Sequence, residues 1–230
     1  MSIEFLSNSK LFRIIGDVHG DIKAFGHAVE TDKFIIQLGD LVDYGPDSAG
    51  VLDLMLEVQK KHRGLFIIGN HDRKLGLYLK NRKIIKDSAL TETIEQIQNH
   101  PDSSLASKIE IALERAPAWL VFKKTIFVHA GFHPKMLFEP PPDPLKPVNT
   151  LLSRALYGEV TKKTNAHGYP IRKSNWINQV PQGYTLYCGH ECRSTDGRPW
   201  KYQTPTGATI IFMDTGAGKG GHLSWIDITL

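Results

Sequence analysis

The sequence is poor in several features that would each direct its interpretation. It has two cysteines in 230 residues, Cys188 and Cys192, too few for a disulfide framework. It starts without a basic segment leading into a long apolar stretch, so it shows no secretory signal. Its apolar runs are about four or five residues long, against the roughly twenty needed to span a bilayer. These absences predict a cytoplasmic protein with reduced thiols and no membrane partner. Charge of one sign is also scarce: 28 Lys and Arg against 24 Asp and Glu leave a formal +4. That excess permits a phosphate-bearing partner but lacks the concentrated basic face of a nucleic-acid binder. There is no internal repeat or low-complexity tract, and the hydrophobic (41%) and charged (23%) fractions are those of a globular chain.

What the chain does have is a recurring short pattern. Apolar runs rich in β-branched and aromatic residues occur at 11–15, 34–38, 65–68, 125–128, 185–187, 209–212 and 223–228, and read as strands with a buried face. Helical spacing lies between the early ones, at 21–30 and 47–62. Residues 90–119 read as two helices broken at His100-Pro101. The alternation predicts an α/β architecture. Residues 139–147, with five prolines, predict an extended surface loop rather than a domain linker, because residues of the same chemical character flank it on both sides. Residues 1–230 are therefore expected to form one domain.

Five of the strands run into polar residues flanked by glycine. These are Gly16-Asp17-Val18-His19-Gly20, Gly39-Asp40-Leu41-Val42-Asp43, Gly69-Asn70-His71-Asp72, His129-Ala130-Gly131 and Gly189-His190. One such dipeptide carries no weight, because Asp in a turn usually caps backbone donors. Ligands in α/β sheets, however, bind outside the carboxyl ends of strands, so five clusters in one sheet system would converge. The convergent set is Asp17, His19, Asp40, Asn70, His129 and His190. Carboxylates mixed with imidazoles suit Mn, Fe or Zn better than Ca or Mg. Six ligands exceed one open catalytic site but suit two cations, about 3.5–4 Å apart, sharing a carboxylate. His27, His62, His100, His133, His167 and His222 lack such a setting and are expected in surface or local structural roles. Gly216-Ala217-Gly218-Lys219-Gly220-Gly221 lacks the order of a nucleotide-binding loop and reads as a turn between the last two strands. Asp214 and Thr215, just before it, would lie at the edge of the site. Cys188 closes an apolar run and reads as a small buried hydrophobe.

In this order the motifs GDVHG, GDLVD-x-GP, GNHD, VHAG and GH resemble the calcineurin-like metallophosphoesterases, in their phosphoprotein-phosphatase branch. They span Gly16 to His190. Ala155-Leu156-Tyr157-Gly158-Glu159, Gly168-Tyr169-Pro170-Ile171-Arg172, Asn175-Trp176 and Met213-Asp214-Thr215-Gly216 resemble the phosphatase module of bacterial polynucleotide kinase-phosphatases. The resemblance implies a central β-sandwich flanked by helices and two divalent metal ions, Mn with Fe or Zn as alternatives. Asp17 and His19 would hold the first ion, Asp40 would bridge, and Asn70, His129 and His190 would complete the second. A hydroxide bridging the metals would attack phosphorus, His71 would act as general acid, and Asp43 would orient it. A third-ligand role is the alternative for His71. The substrate would be a phosphoprotein, a nucleotide or a nucleic-acid phosphate end. A dinucleoside polyphosphate is the alternative, and a non-catalytic phosphoryl-binding protein the reading from another class. One departure stands out: Tyr44 occupies the place of an arginine that would grip phosphate. Arg73, Lys74, Arg154 and Arg172 are the candidate replacements, with Arg172 favoured by the motif around it.

Overall fold

A computed structural model describes residues 9–164 and 170–230. His167 and the Gly168-Tyr169 part of one motif lie outside the described residues. In chain order the elements are β1 (Leu11–Ile15), α1 (Ile22–Val29), β2 (Phe34–Gln37), α2 (Ser48–Lys60), β3 (Gly64–Phe66), α3 (Asn70–Leu79), α4 (Ser88–Gln98), α5 (Leu105–Arg115), β4 (Trp119–Phe122), β5 (Thr125–Val128), α6 (Thr150–Tyr157), β6 (Glu159–Thr164), β7 (Pro170–Lys173), β8 (Thr185–Cys188), β9 (Trp200–Gln203), β10 (Thr209–Phe212) and β11 (Trp225–Thr229). Short 3₁₀ turns lie at Pro134–Leu137 and Asn175–Gln179.

Two sheets form the centre, one ordered β11-β1-β2-β3 and the other β4-β5-β8-β10-β9, while β6 and β7 form a separate hairpin. Within the first sheet β1, β2 and β3 are parallel, and within the second β5, β8 and β10 are parallel. Side chains alternate across a strand, so each central strand serves two layers. Phe12, Ile14, Phe34, Ile36, Phe127, Tyr187 and Ile211 meet between the sheets. Their neighbours Ile15, Ile35, Ile126, Leu186 and Ile210 face outward into a second core that includes the helices. Phe127 and Tyr187 stack between the sheets at 5.6 Å. The architecture is thus a β-sandwich flanked, among the described residues, by six α-helices, as expected.

The helices begin where side chains can satisfy their first backbone donors. Asp21, Asp47, Asp87 and Asn149 accept from Ala24, Gly50, Leu90 and Leu152 at 2.7–3.1 Å. The 139–147 segment contains no helix or strand, as its prolines require. Strands β4, β6, β7 and β9 and helices α3 and α6 were not expected. The glycine-rich segment does form a turn between β10 and β11, closed by Gly221 N–H donating to Gly216 O at 2.9 Å. Among the described residues no helix is long and apolar enough to cross a membrane. Truncating Phe127, fully buried between the sheets, should cost about 3–5 kcal/mol as Phe127→Ala, read as a lower denaturation midpoint. Ile85→Ala, at a site 90% exposed, should stay within about 0.5 kcal/mol in the same titration.

Candidate metal centre

The parallel strands of both sheets point their carboxyl ends to one edge, and the loops there are tied to one another. Val18 and His19 donate their N–H groups to Asp40 O at 3.0 and 2.9 Å, and Gly189 N–H donates to His129 O at 2.8 Å. His19, Asp40, Asp43, Tyr44 and His190 all have φ between +46° and +73°. Side-chain-bearing residues avoid this region, because Cβ crowds the backbone at a cost of roughly 1–2 kcal/mol each. Strain of this kind persists only where surrounding structure enforces it, and it clusters at functional sites. The adjoining glycines allow close approach: a Cβ at Gly189 would lie 1.8 Å from Asp17 Oδ1, and one at Gly69 would lie 2.1 Å from Asp40 Oδ1.

Two groups of side chains could each hold a cation: Asp17, His19 and Asp40, and Asp40, His129 and His190. Asp40 belongs to both. Its Oδ2 lies 3.7 Å from His19 Nε2 and 3.4 Å from His129 Nε2. Asn70 joins the second group, its Oδ1 standing 3.1 Å from His129 Nε2. Carbonyl oxygens fix the orientation of two of the rings. His19 Nδ1–H donates to Val42 O and His129 Nδ1–H to Leu38 O, both at 2.9 Å, which leaves Nε2 of each directed at the carboxylates. Around His129 three electron-pair donors (an imidazole nitrogen, an amide oxygen and a carboxylate oxygen) therefore converge. Such a set calls for a cation between them, and the residues present fit a divalent metal.

Protonation follows the same logic. Burial lowers His19 to about 4 and, with the charge of His129, lowers His190 as well, so both rings are neutral and ready to ligate. Burial also acts against a charged His129, but the adjacent Asp40 outweighs it and raises that ring to about 9, so its Nε2 carries a proton that a bound cation would replace. For Asp40, burial favours the neutral acid, yet His129, His71 and His19 together hold it well below the usual carboxylate range. Asp17 is pushed well above that range, first by burial and then by the charge of Asp214. Asp214 thus lies close enough to Asp17 for its charge to act there.

His71 sits at the start of α3, beside the ligand group. Its Nδ1 is 2.6 Å from Asp43 Oδ2 and its Nε2 is 4.0 Å from Asp40 Oδ2. Asp43 Oδ1 in turn accepts from Thr93 on α4 at 2.8 Å. Burial lowers the affinity of His71 for a proton, but Asp40 and Asp43 more than compensate and raise it. The ring of Tyr44 packs edge-on to both His19 and His71, each with centroids 5.2 Å apart.

The candidate cations are distributed unevenly. Arg73 is buried and donates to Pro144 O at 2.8 Å and Lys146 O at 2.9 Å, so it anchors the proline-rich loop instead of facing a substrate. Arg154 donates to Glu159 at 3.2 Å and to Phe132 O at 3.4 Å, an engagement that joins α6 to its surroundings. Lys74 bridges Asp87 at 2.7 Å and Asp43 at 3.6 Å. Arg172 is exposed on β7, and its charge helps to lower His190. Cys188 is buried and Cys192 exposed, and neither belongs to a donor group among the described residues. His27, His100 and His133 make local contacts with Glu30, Asp102 and Lys135, respectively.

Sequence reasoning missed Asp72, Thr93 and Lys219. Asp72 Oδ2 accepts from Asp40 N–H at 2.7 Å and Gly69 N–H at 2.9 Å, while Oδ1 accepts from Leu41 N–H at 2.9 Å. The available signal was an acid at the third position of a helix preceded by glycine, the place from which a carboxylate reaches back to the cap. Lys219 Nζ lies 2.8 Å from His19 Nε2. Glycines around it marked the turn but not its aim.

A family model described as calcineurin-like phosphoesterase matches residues 11–204, and the chain belongs to that family. The class this defines is a divalent-metal phosphatase or hydrolase. Two relatives carry the name bis(5′-nucleosyl)-tetraphosphatase PrpE [asymmetrical]. The one from Bacillus thuringiensis (strain Al Hakam) is 25% identical, with 93% of this chain and 88% of the relative covered. The one from Oceanobacillus iheyensis is 26% identical, covering 77% and 75%. A solved structure assigned as a diadenosine tetraphosphatase superposes with a TM-score of 0.62 at 21% identity, over 96% of this chain and 90% of that one. A serine/threonine phosphatase from Saccharomyces cerevisiae, with similarity to human phosphatase PP5, gives 0.59 at 12% identity, over 98% and 81%. Both structures share the fold.

Asp72→Ala should leave three buried N–H groups without acceptors and cost at least about 3 kcal/mol in denaturant unfolding, at about 1–3 kcal/mol for each unsatisfied donor. A cost below about 1 kcal/mol would show that other contacts hold the Asp40 loop.

Proposed function

We propose that this protein hydrolyses phosphoryl bonds at a dinuclear divalent-metal centre. Asp17, His19 and Asp40 would hold one ion, and Asp40, Asn70, His129 and His190 the other, with Mn as the ion and Fe or Zn also suited to the donors. The observation that carries the reading is the shared carboxylate of Asp40, within 3.7 Å of His19 Nε2 and 3.4 Å of His129 Nε2. Bound there, paired cations supply water of lowered pKa and neutralise charge on the phosphoryl oxygens. The chain's own residues do the rest. His71 donates the proton on Nε2 to the oxygen that leaves phosphorus as the P–O bond breaks. Asp43, at 2.6 Å from Nδ1, fixes the ring's orientation and stabilises its positive charge before transfer. Thr93 holds Asp43 in turn. The metal-ligand alternative for His71 is less well supported, because its Nε2 stands outside both donor groups.

The names of the relatives favour a dinucleoside tetraphosphate as substrate over a phosphoprotein or a nucleic-acid phosphate end. A purely phosphoryl-binding role fits poorly with an oriented proton donor beside a complete ligand set. We also read residues 1–230 as one metallophosphoesterase domain, since ligands from both sheets share one site. The test is a panel with one metal: a dinucleoside tetraphosphate, phosphopeptides, and 2′- and 3′-phosphorylated nucleotides. The tetraphosphate should show the highest kcat/KM. His71→Ala should lose about 10²–10⁴-fold in kcat with metal content retained, and unchanged turnover would remove His71 from the mechanism.

A further inference from the structure

A cation stands beside position 44, where a phosphate-gripping arginine is missing. Lys219 extends from the glycine-rich turn so that Nζ lies 2.8 Å from His19 Nε2 and 4.6 Å from the centre of the Tyr44 ring. The turn that carries it is closed. Lys219 and Gly221 donate to Gly216 O, His222 N–H donates to Thr215 O, and Thr215 Oγ1 donates to His222 O at 2.5 Å. It is also seated on the site itself, since a Cβ at Gly218 would lie 2.2 Å from His19 O. The backbone is therefore fixed, and the side chain of this exposed residue is the part free to adjust. Arg73, Lys74 and Arg154, by contrast, are engaged with loop carbonyls or carboxylates.

We propose that Lys219 is the cation that binds the substrate phosphoryl oxygens, in the role an arginine at position 44 would fill, and that Tyr44 holds it over the site. The inference rests on the dinuclear reading above. A single lone pair on His19 Nε2 accepts one partner, so a metal ion there displaces the ammonium from that nitrogen. An ammonium beside a divalent cation is repelled unless an anion lies between them, and the phosphoryl group brings that anion. The Tyr44 face keeps the displaced ammonium at the mouth instead of in bulk water. A lysine is a compact charge on a flexible stem, whereas arginine is a rigid fork matched to one phosphate orientation. A site gripped by lysine suits a chain of linked phosphates, in which each group presents its oxygens differently.

The test uses metal-loaded full-length protein and inorganic phosphate as the probe, with binding read by calorimetry and metal content by elemental analysis. Lys219→Met should weaken phosphate binding about tenfold or more at unchanged metal content, the loss of one charge-assisted hydrogen bond. The double variant Tyr44→Arg with Lys219→Met should recover most of that affinity. Phosphate affinity within about twofold of wild type in Lys219→Met would overturn the proposal. So would a gain in metal affinity with phosphate binding unaltered, which would make Lys219 a competitor of the metal only. If wild-type protein shows neither phosphate binding nor metal-dependent turnover, the dinuclear reading fails first and this one with it. If wild type does both and the variant matches it, only the role of Lys219 fails.

Discussion

The carboxylate of Asp40 is the constraint on which the remaining architecture depends. It is buried, and its backbone is held in the left-handed region at φ +57°. One oxygen accepts from the His71 backbone N–H at 3.0 Å, at the amino end of α3 where the helix dipole favours negative charge. The other oxygen faces the imidazoles of His19 and His129. Keeping an anion in that position takes most of the local structure. Asp72 fixes the peptide of the Asp40 loop, Gly69 allows α3 to approach, and β1 and β5 deliver the facing histidines.

The same arrangement explains why a sandwich serves this chemistry. Each sheet contributes three parallel strands, and parallel strands end on the same side. Packing Phe12, Ile14 and Ile36 against Phe127 and Tyr187 sets the two carboxyl edges side by side. Imidazoles separated by more than a hundred residues in sequence then face one carboxylate. The apolar layer acts on function through position, and the strained loop residues sit where that layer ends.

Much of this was legible in the chain because its signals are local. Residues 11–15, 125–128 and 209–212 are buried apolar runs and form strands with those bounds. Asp17, His19, Asp40, Asn70, His129 and His190 were legible as candidates because each stands just after such a run with glycine close by. Strands β6 and β9 were hidden because they are largely exposed and their residues carry no core alternation. Helix α3 was hidden because it begins Asn70-His71-Asp72-Arg73-Lys74, a polar start shaped by the site rather than by helical patterning. Lys219 reaches His19 across 200 residues, and Thr93 reaches Asp43 across 50, distances at which periodicity carries no information. Arg73 illustrates the converse: its place beside the ligand motif suggested phosphate, while its burial directs it to Pro144 and Lys146.

The central claim is that one carboxylate joins two cations, and electron paramagnetic resonance of the Mn-loaded protein addresses it most directly. Two Mn ions bridged by Asp40 would lie close enough for their spins to couple. The account predicts the broadened, temperature-dependent spectrum of an exchange-coupled pair, which Asp40→Asn abolishes. The resolved hyperfine pattern of magnetically independent ions in fully loaded wild-type protein would contradict it.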